Sequence, residues 1–466
     1  MTDLAPTPRV DRLVLGGEIV TMDPERTVHR SAGIAVAGGA IVEIAASADL
    51  RRRYGDVATL DVPHGVIIPG LVDTHQHLTG DRLIRSSIPD DAPPGSAIFD
   101  WVLPVHAVHT ADDDGLSATL AGIEALTNGV TTVAEAGTVA HPFAVADALR
   151  GVGIRGLVGR WGWDLDDAPF AAPADVVLDR QRELVAGLGD HGRVRPWLTL
   201  VGHDLMTDDL LVGASALARE LGVRLSFHIS PTTSDPDQYL ARTGRRPLVH
   251  FDGLGVLGDH VVLAHAVHLD DTEADVVVDR DVAVAYCPAA YLRLGQGVSR
   301  FGRHAELHRR GVRVGLGCDT ENAGDAIDVL LAARLAAGLA KDAALDPTAF
   351  GAHEALEMAT IGGAAALGMA DEIGSIEVGK RADLVVHDAR TPSWTPRGAD
   401  VALELVWAAD GRSVQHVVVD GEIVVRDGVC VTADLDDIGP AATAAGAALR
   451  ARAGIDAPHR WPRHDH

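Results

Sequence analysis

The segment LVDTHQHLTG, residues 71–80, sets two histidines one position apart at the end of an apolar run, GVIIPGLVD. In an extended strand, residues i and i+2 face the same way, so His75 and His77 can address one object. Imidazole nitrogens so placed suit a borderline metal ion, although the pair alone also fits two polar residues at the start of a loop. Side chains of similar chemistry recur at comparable places further on. Glu135 ends GVTTVAEAG, His203 ends WLTLVGHD, His228 ends RLSFHIS, His265 falls in VVLAHAVH, and Asp319 ends RVGLGCDT. The chain has 22 histidines, and chance scatter would rarely put five of them, with a terminal aspartate, at such ends. Four imidazoles (His75, His77, His228 and His265) and the Asp319 carboxylate meeting at one point suit Zn²⁺, and also Fe²⁺, Co²⁺ or Mn²⁺.

Something must carry these residues to one place. Eight apolar runs of strand character occur between residues 63 and 370, each followed by an Ala/Leu-rich segment at helical spacing. IRGLVGRW is the third and VAVAYCP the seventh. That alternation predicts an α/β fold, a (β/α)₈ TIM-like barrel, whose active sites sit at the C-terminal ends of the strands. Residues 1–62 and 371–430 have a different texture, with alternating apolar runs joined by turns such as Asp420-Gly421. They predict a small β-sandwich domain built from both ends of the chain. Residues 431–466 are left as a helical or tail segment, and the histidines of its end, HRWPRHDH, are given no function.

The bulk composition narrows the partners. Forty basic against 66 acidic residues give a net charge of −26, which repels nucleic acid and anionic membranes. No window is apolar enough to span a bilayer, and MTDLAPTPRVDRLVLGGEIV has no secretory pattern. Three cysteines, Cys287, Cys318 and Cys430, form no C-x-x-C pair and argue against a disulfide framework. A cytoplasmic protein acting on a small molecule is expected.

With these motifs in view, PGLVDTHQHL (Pro69 to Leu78) resembles the first-strand signature of the amidohydrolase superfamily. LAHAVHL, CPAAYLRLGQGV and GVRVGLGCD are similar to its sixth-, seventh- and eighth-strand signatures. GSIEVGKRADLVVHD resembles the strand pair by which the triazine hydrolase and guanine and cytosine deaminase subgroup re-enters its β-domain. The likeness runs from about residue 12 to 430. It implies His75, His77, His228 and Asp319 as direct ligands, with His265 as a further ligand or a partner of the water. No lysine ends the fourth strand, so one metal is expected, zinc first. The resemblance also implies hydrolysis of a C–N bond, with the nucleophile made by a metal that lowers the pKa of bound water from 15.7 towards about 7. Asp319 would take the proton, with His265 and His268 orienting the water or stabilising developing charge. His203 matches a substrate-facing histidine, and the resemblance implies a homo-oligomer.

One departure stands out. Deaminases of that subgroup carry Glu three residues after the fifth-strand histidine, where FHISPTTSD has Pro231. The run after Asp319, CDTENAGD, also differs from the small residues usual there. Either another acid moves the proton, or the substrate is a urea, carbamate or thiocarbamate rather than an amino-heterocycle. The candidate acids are Glu135, Asp235, Glu321 and Asp164, with Glu135 and Glu321 favoured by their strand-end positions. Trp161, Trp163, Tyr291 and Phe99 could line a ring-binding pocket. The long loop RLIRSSIPDDAPPGSAIFDW suits a cover over it. The expected substrate-facing set is thus His203, Trp163, Tyr291, Glu135 and Glu321.

Overall fold

The computed structural model describes residues 9–92, 95–165, 169–189, 191–456 and 461–462. The tail histidines considered above lie outside the described residues.

Eight parallel strands form the barrel. They are Leu71–Gln76, Val130–Glu135, Arg155–Val158, the broken strand Val194–Pro196 plus Leu198–Gly202, Leu225–Ile229, Val261–His265, Ala283–Tyr286 and Val314–Leu316. Nearly every residue in them is buried. Both faces are covered, by helices outside and side chains within, which is why the strands read as continuous apolar runs without alternation. The break at Trp197 divides the ladder into a four-stranded and a five-stranded sheet. Trp197 spans it, its backbone N–H donating to Val158 O at 3.2 Å and its indole Nε1 to Glu135 O at 3.0 Å. The first and eighth strands close the ring, with Thr74 Oγ1 donating to Leu316 O at 2.9 Å and Asp319 N to His75 O at 2.9 Å.

The outer helices start on side-chain caps. Thr207 accepts from Leu210 N ahead of helix Asp208–Leu221, and Asp270 forms a capping box with Glu273 ahead of Asp271–Asp279. No helix among the described residues is long and apolar enough to cross a membrane.

Both ends of the chain contribute to one nine-stranded sheet. Strand Ala58–Pro69 pairs in parallel with Arg12–Val20 and antiparallel with Leu384–Asp388. The sheet curls around a shared apolar core that includes Val14, Ile34, Ile67, Leu384 and Val418.

Arg155 joins this sheet to the barrel end opposite the site. Its guanidinium donates to Asp383 at 2.8 and 3.1 Å and to Asp420 at 2.8 Å, and both Arg155 and Asp383 side chains are 2% exposed. Truncating one partner of a buried pair leaves an uncompensated charge. Arg155→Ala is therefore expected to cost about 3–5 kcal/mol in denaturant unfolding while kcat of the folded fraction stays unchanged.

Candidate metal centre

At the C-terminal mouth of the barrel, His75 and His77 leave the first strand, His228 the fifth, His265 the sixth and Asp319 the eighth. The structure brings all five together. His77 Nε2 lies 3.4 Å from Asp319 Oδ1 and 3.3 Å from His228 Nε2, and His75 Nε2 lies 3.7 Å from Asp319 Oδ1. The rings of His75, His228 and His265 are mutually 4.8–5.1 Å apart. Their ligand atoms and Cys287 Sγ fall into overlapping groups within 4.8 Å of one another.

Hydrogen bonds aim these rings. His228 Nδ1 sits 2.7 Å from Val201 O, a pure acceptor, so Nδ1 carries the hydrogen and Nε2 offers a lone pair. His77 Nδ1 sits 2.7 Å from Thr138 Oγ1, which in turn reaches Glu135 Oε1 at 3.5 Å. The carboxylate accepts from the hydroxyl and the hydroxyl from the imidazole, so the lone pair of His77 is on Nε2. Both nitrogens of His75 are buried without a hydrogen-bond partner. Buried polar nitrogens of that kind are costly unless something else satisfies them, and a cation does so.

Electrostatics agree. Burial, then the neighbouring imidazoles, hold His75 and His228 well below the ordinary histidine range, and burial pushes His265 down to about 4. Burial alone would raise Asp319, but the His77 hydrogen bond and the surrounding imidazoles hold it below the usual carboxylate range. Neutral nitrogens and an ionised oxygen are the protonation states that a divalent cation requires. The residues present fit such an ion.

The backbone is also unusual here. His203, Asp204, Ser230, His265, Ala266 and Asp319 all adopt left-handed φ, between +48° and +77°. Each such residue costs on the order of 1–3 kcal/mol, and they gather at strand ends four, five, six and eight. Gly202 (φ +83°) allows this crossing, since a Cβ there would stand 2.0 Å from His228 O.

The other expected residues divide. His203 joins the cluster, its ring stacked on His228 at 5.1 Å and its Nδ1 3.5 Å from Asp235 Oδ2. At 21% its side chain is the most open of the group. Glu135, expected to meet substrate, is instead fully buried and bonded to the backbone N–H of Gly137 and Thr138 at 2.8 and 3.1 Å. Glu321 is bound to Arg82 at 2.7 Å, clamping the loop after the first strand to the loop after the eighth. Burial raises it to about 7.

Trp163 lies in an apolar cluster with Trp161, Leu103 and Val201, its indole N–H donating to Pro169 O at 2.9 Å. Phe99 is 54% exposed on the helical turn Ala97–Val102. Tyr291 is buried, its hydroxyl 3.2 Å from His265 Nδ1. His268, assigned a catalytic role above, is a correction. Its Nε2 donates to Gln296 O at 2.9 Å and its ring packs on Phe301, apart from the donor cluster. His304, which no strand-end pattern marks, holds the site instead, with Nε2 2.6 Å from His265 O.

A TIM-like barrel with nitrogen donors and a carboxylate gathered at its strand ends is the architecture of a hydrolase whose bound metal ion activates water. The chain belongs to the amidohydrolase family, whose model matches residues 66–424. It is 31% identical to a 5-methylthioadenosine/S-adenosylhomocysteine deaminase of Syntrophobacter fumaroxidans over 430 residues, covering 92% of this chain and 96% of that one. An adenosine deaminase of Xanthomonas campestris with bound zinc superposes with a TM-score of 0.89 at 30% identity, over 96% of this chain and 100% of that one. The zinc complex of an atrazine chlorohydrolase of Arthrobacter aurescens gives 0.86 at 27% identity, over 93% and 100%.

Proposed function

We propose that the protein deaminates a purine nucleoside of the adenosine type, using one divalent ion, zinc first, held by His75, His77, His228 and Asp319. The observation that carries this reading is the convergence of three imidazoles and an ionised carboxylate at the barrel mouth, with both His75 nitrogens unsatisfied. The substrate class is supported by the naming of two relatives, one for methylthioadenosine and adenosylhomocysteine and one for adenosine.

His75, His77, His228 and Asp319 would hold a divalent ion, whose contribution would be to lower the pKa of a bound water towards neutrality. Asp319, ionised and beside His77, takes the proton that the water loses on attacking the amine-bearing ring carbon. Water adds, ammonia leaves, and the carbon becomes a carbonyl. The amine departs only once it has gained a proton, and Pro231 supplies none.

Three of the four candidate acids are occupied elsewhere. Glu135 is spent on the backbone and Glu321 on Arg82, and Asp164 accepts from Thr207 N at 2.7 Å and from its hydroxyl at 2.5 Å. Asp235 also accepts a backbone N–H, from Ser230 at 2.8 Å, but its Oδ2 lies 3.5 Å from Nδ1 of His203, which joins the cluster. We assign the His203–Asp235 pair to protonating the leaving amine, His203 being the member open to the mouth.

The test is an assay of ammonia release from 5′-methylthioadenosine, S-adenosylhomocysteine and adenosine, alongside amine release from ureas and carbamates. Ammonia from at least one nucleoside is expected, with activity lost to a chelator and restored by zinc. Amine from a urea and ammonia from none of the nucleosides would remove the deaminase reading.

A further inference from the structure

Near the C-terminus, the helix Leu435–Ala453 starts on Asp434, whose side chain accepts from Asp436 N at 2.9 Å. Its two buried residues, Gly446 and Leu449, both face the loop that follows the first barrel strand.

The approach at Gly446 is close. A Cβ there would stand 2.2 Å from the carbonyl oxygen of Leu83, a separation that no side chain can take up from a backbone atom. The helix therefore lies directly against the loop because residue 446 is glycine. One turn on, Leu449 joins Leu83, Ile84 and Val105 in a single apolar cluster. Beyond it the Arg452 guanidinium donates to Asp113 Oδ2 at 2.5 Å. Asp113 belongs to the capping box of helix Ala111–Thr127, into which the same loop runs. One helix thus grips the loop at its start, residues 82–84, and at its end, residues 105–113.

Both gripped ends lead to the metal centre. Beside Leu83, Arg82 donates to Glu321 at 2.7 Å, on the loop that carries Asp319. At the other end Leu103 packs with Val201, whose carbonyl oxygen lies 2.7 Å from His228 Nδ1.

We propose that Gly446 is a positioning residue for the reaction. By admitting Leu83 against the helix backbone, it fixes both ends of the strand-one loop at the mouth, and with them the wall against which substrate is held. The anchoring stands on packing alone; its kinetic consequence rests on the function proposed above.

The experiment compares Gly446→Ala with the parent, both zinc-loaded. Alanine is the stronger helix former, so any loosening it causes comes from the contact with Leu83 and not from a weaker helix. Amide hydrogen exchange, read by mass spectrometry, should be about 10-fold faster at residues 82–84 and 105–109 of G446A and unchanged in strand Val261–His265. Arg452→Gln should speed exchange at residues 105–113 alone. Ala447→Val, which adds bulk one position away on the exposed face, should do neither. In kinetics, KM for the nucleoside should rise about 10-fold in G446A with kcat and zinc content near the parent's, as loss of uniform binding requires. Unchanged exchange at the loop ends, or equal acceleration throughout the barrel strands, would mean that the helix only supports the fold, and would overturn the proposal. Loosened ends with an unchanged KM would overturn it too. If no nucleoside were turned over, the substrate reading alone would fail, and the exchange pattern would still decide the anchoring.

Discussion

Asp319→Asn is expected to lose turnover by on the order of 10³-fold or more while the fold survives. Asparagine tolerates the left-handed backbone of this position, φ +66°, and can still accept from Thr320 N, which reaches Oδ1 at 2.7 Å. What it cannot do is carry the negative charge or receive a proton. His75→Ala should have an equal effect by a different route, since it deletes a nitrogen donor from the most enclosed corner of the cluster. Elemental analysis should find the metal content of H75A well below that of the parent, with the circular dichroism spectrum unchanged. Substantial activity in either variant would mean that the cluster is not the seat of reaction.

The His203–Asp235 pair predicts a dependence on the leaving group. His203→Gln or Asp235→Asn should slow deamination of an aminopurine nucleoside about 10²–10³-fold, the usual worth of a positioned acid. The 6-chloro analogue of the same nucleoside should be hydrolysed at nearly the parental rate, because chloride departs without a proton. Glu135→Gln is the control. Glu135 acts through Thr138 on His77, so its loss should weaken both substrates alike. If H203Q slowed the amine and the chloride equally, the pair would serve only to hold substrate, and the acid would have to be sought elsewhere.

Much of this was legible in the chain. The five donor residues stand at strand ends, and in a parallel barrel every strand end opens on the same mouth. Periodicity sufficed to place His75, His77, His228, His265 and Asp319 together. What lay beyond reach were properties decided in the loops. Glu135 follows the same rule of position as His228, yet the turn Ala136–Thr138 wraps its carboxylate in backbone amides. His268 stands three residues past the sixth strand and His304 far beyond the seventh, yet the packing of those segments sends the first to Phe301 and the second to His265. Tyr291 was noticed for its ring, whereas its hydroxyl lies 3.2 Å from His265 Nδ1. The short strand Val194–Pro196 ahead of Trp197 escaped too, because Arg195 and Pro196 interrupt the apolar run there.

The sheet built from both ends has a consequence for how the molecule is made. Strand Ala58–Pro69 leaves the ribosome early, but its hydrogen-bonding neighbour Leu384–Asp388 follows only some 300 residues later. At 5–20 residues per second that is a wait of roughly 15–60 s with one edge open. During that interval the nascent chain holds an unpaired, largely apolar strand edge next to a growing barrel. The newborn protein is thus most exposed to misassociation until residues 384–388 have been translated, and chaperone demand should fall sharply once residue 388 emerges.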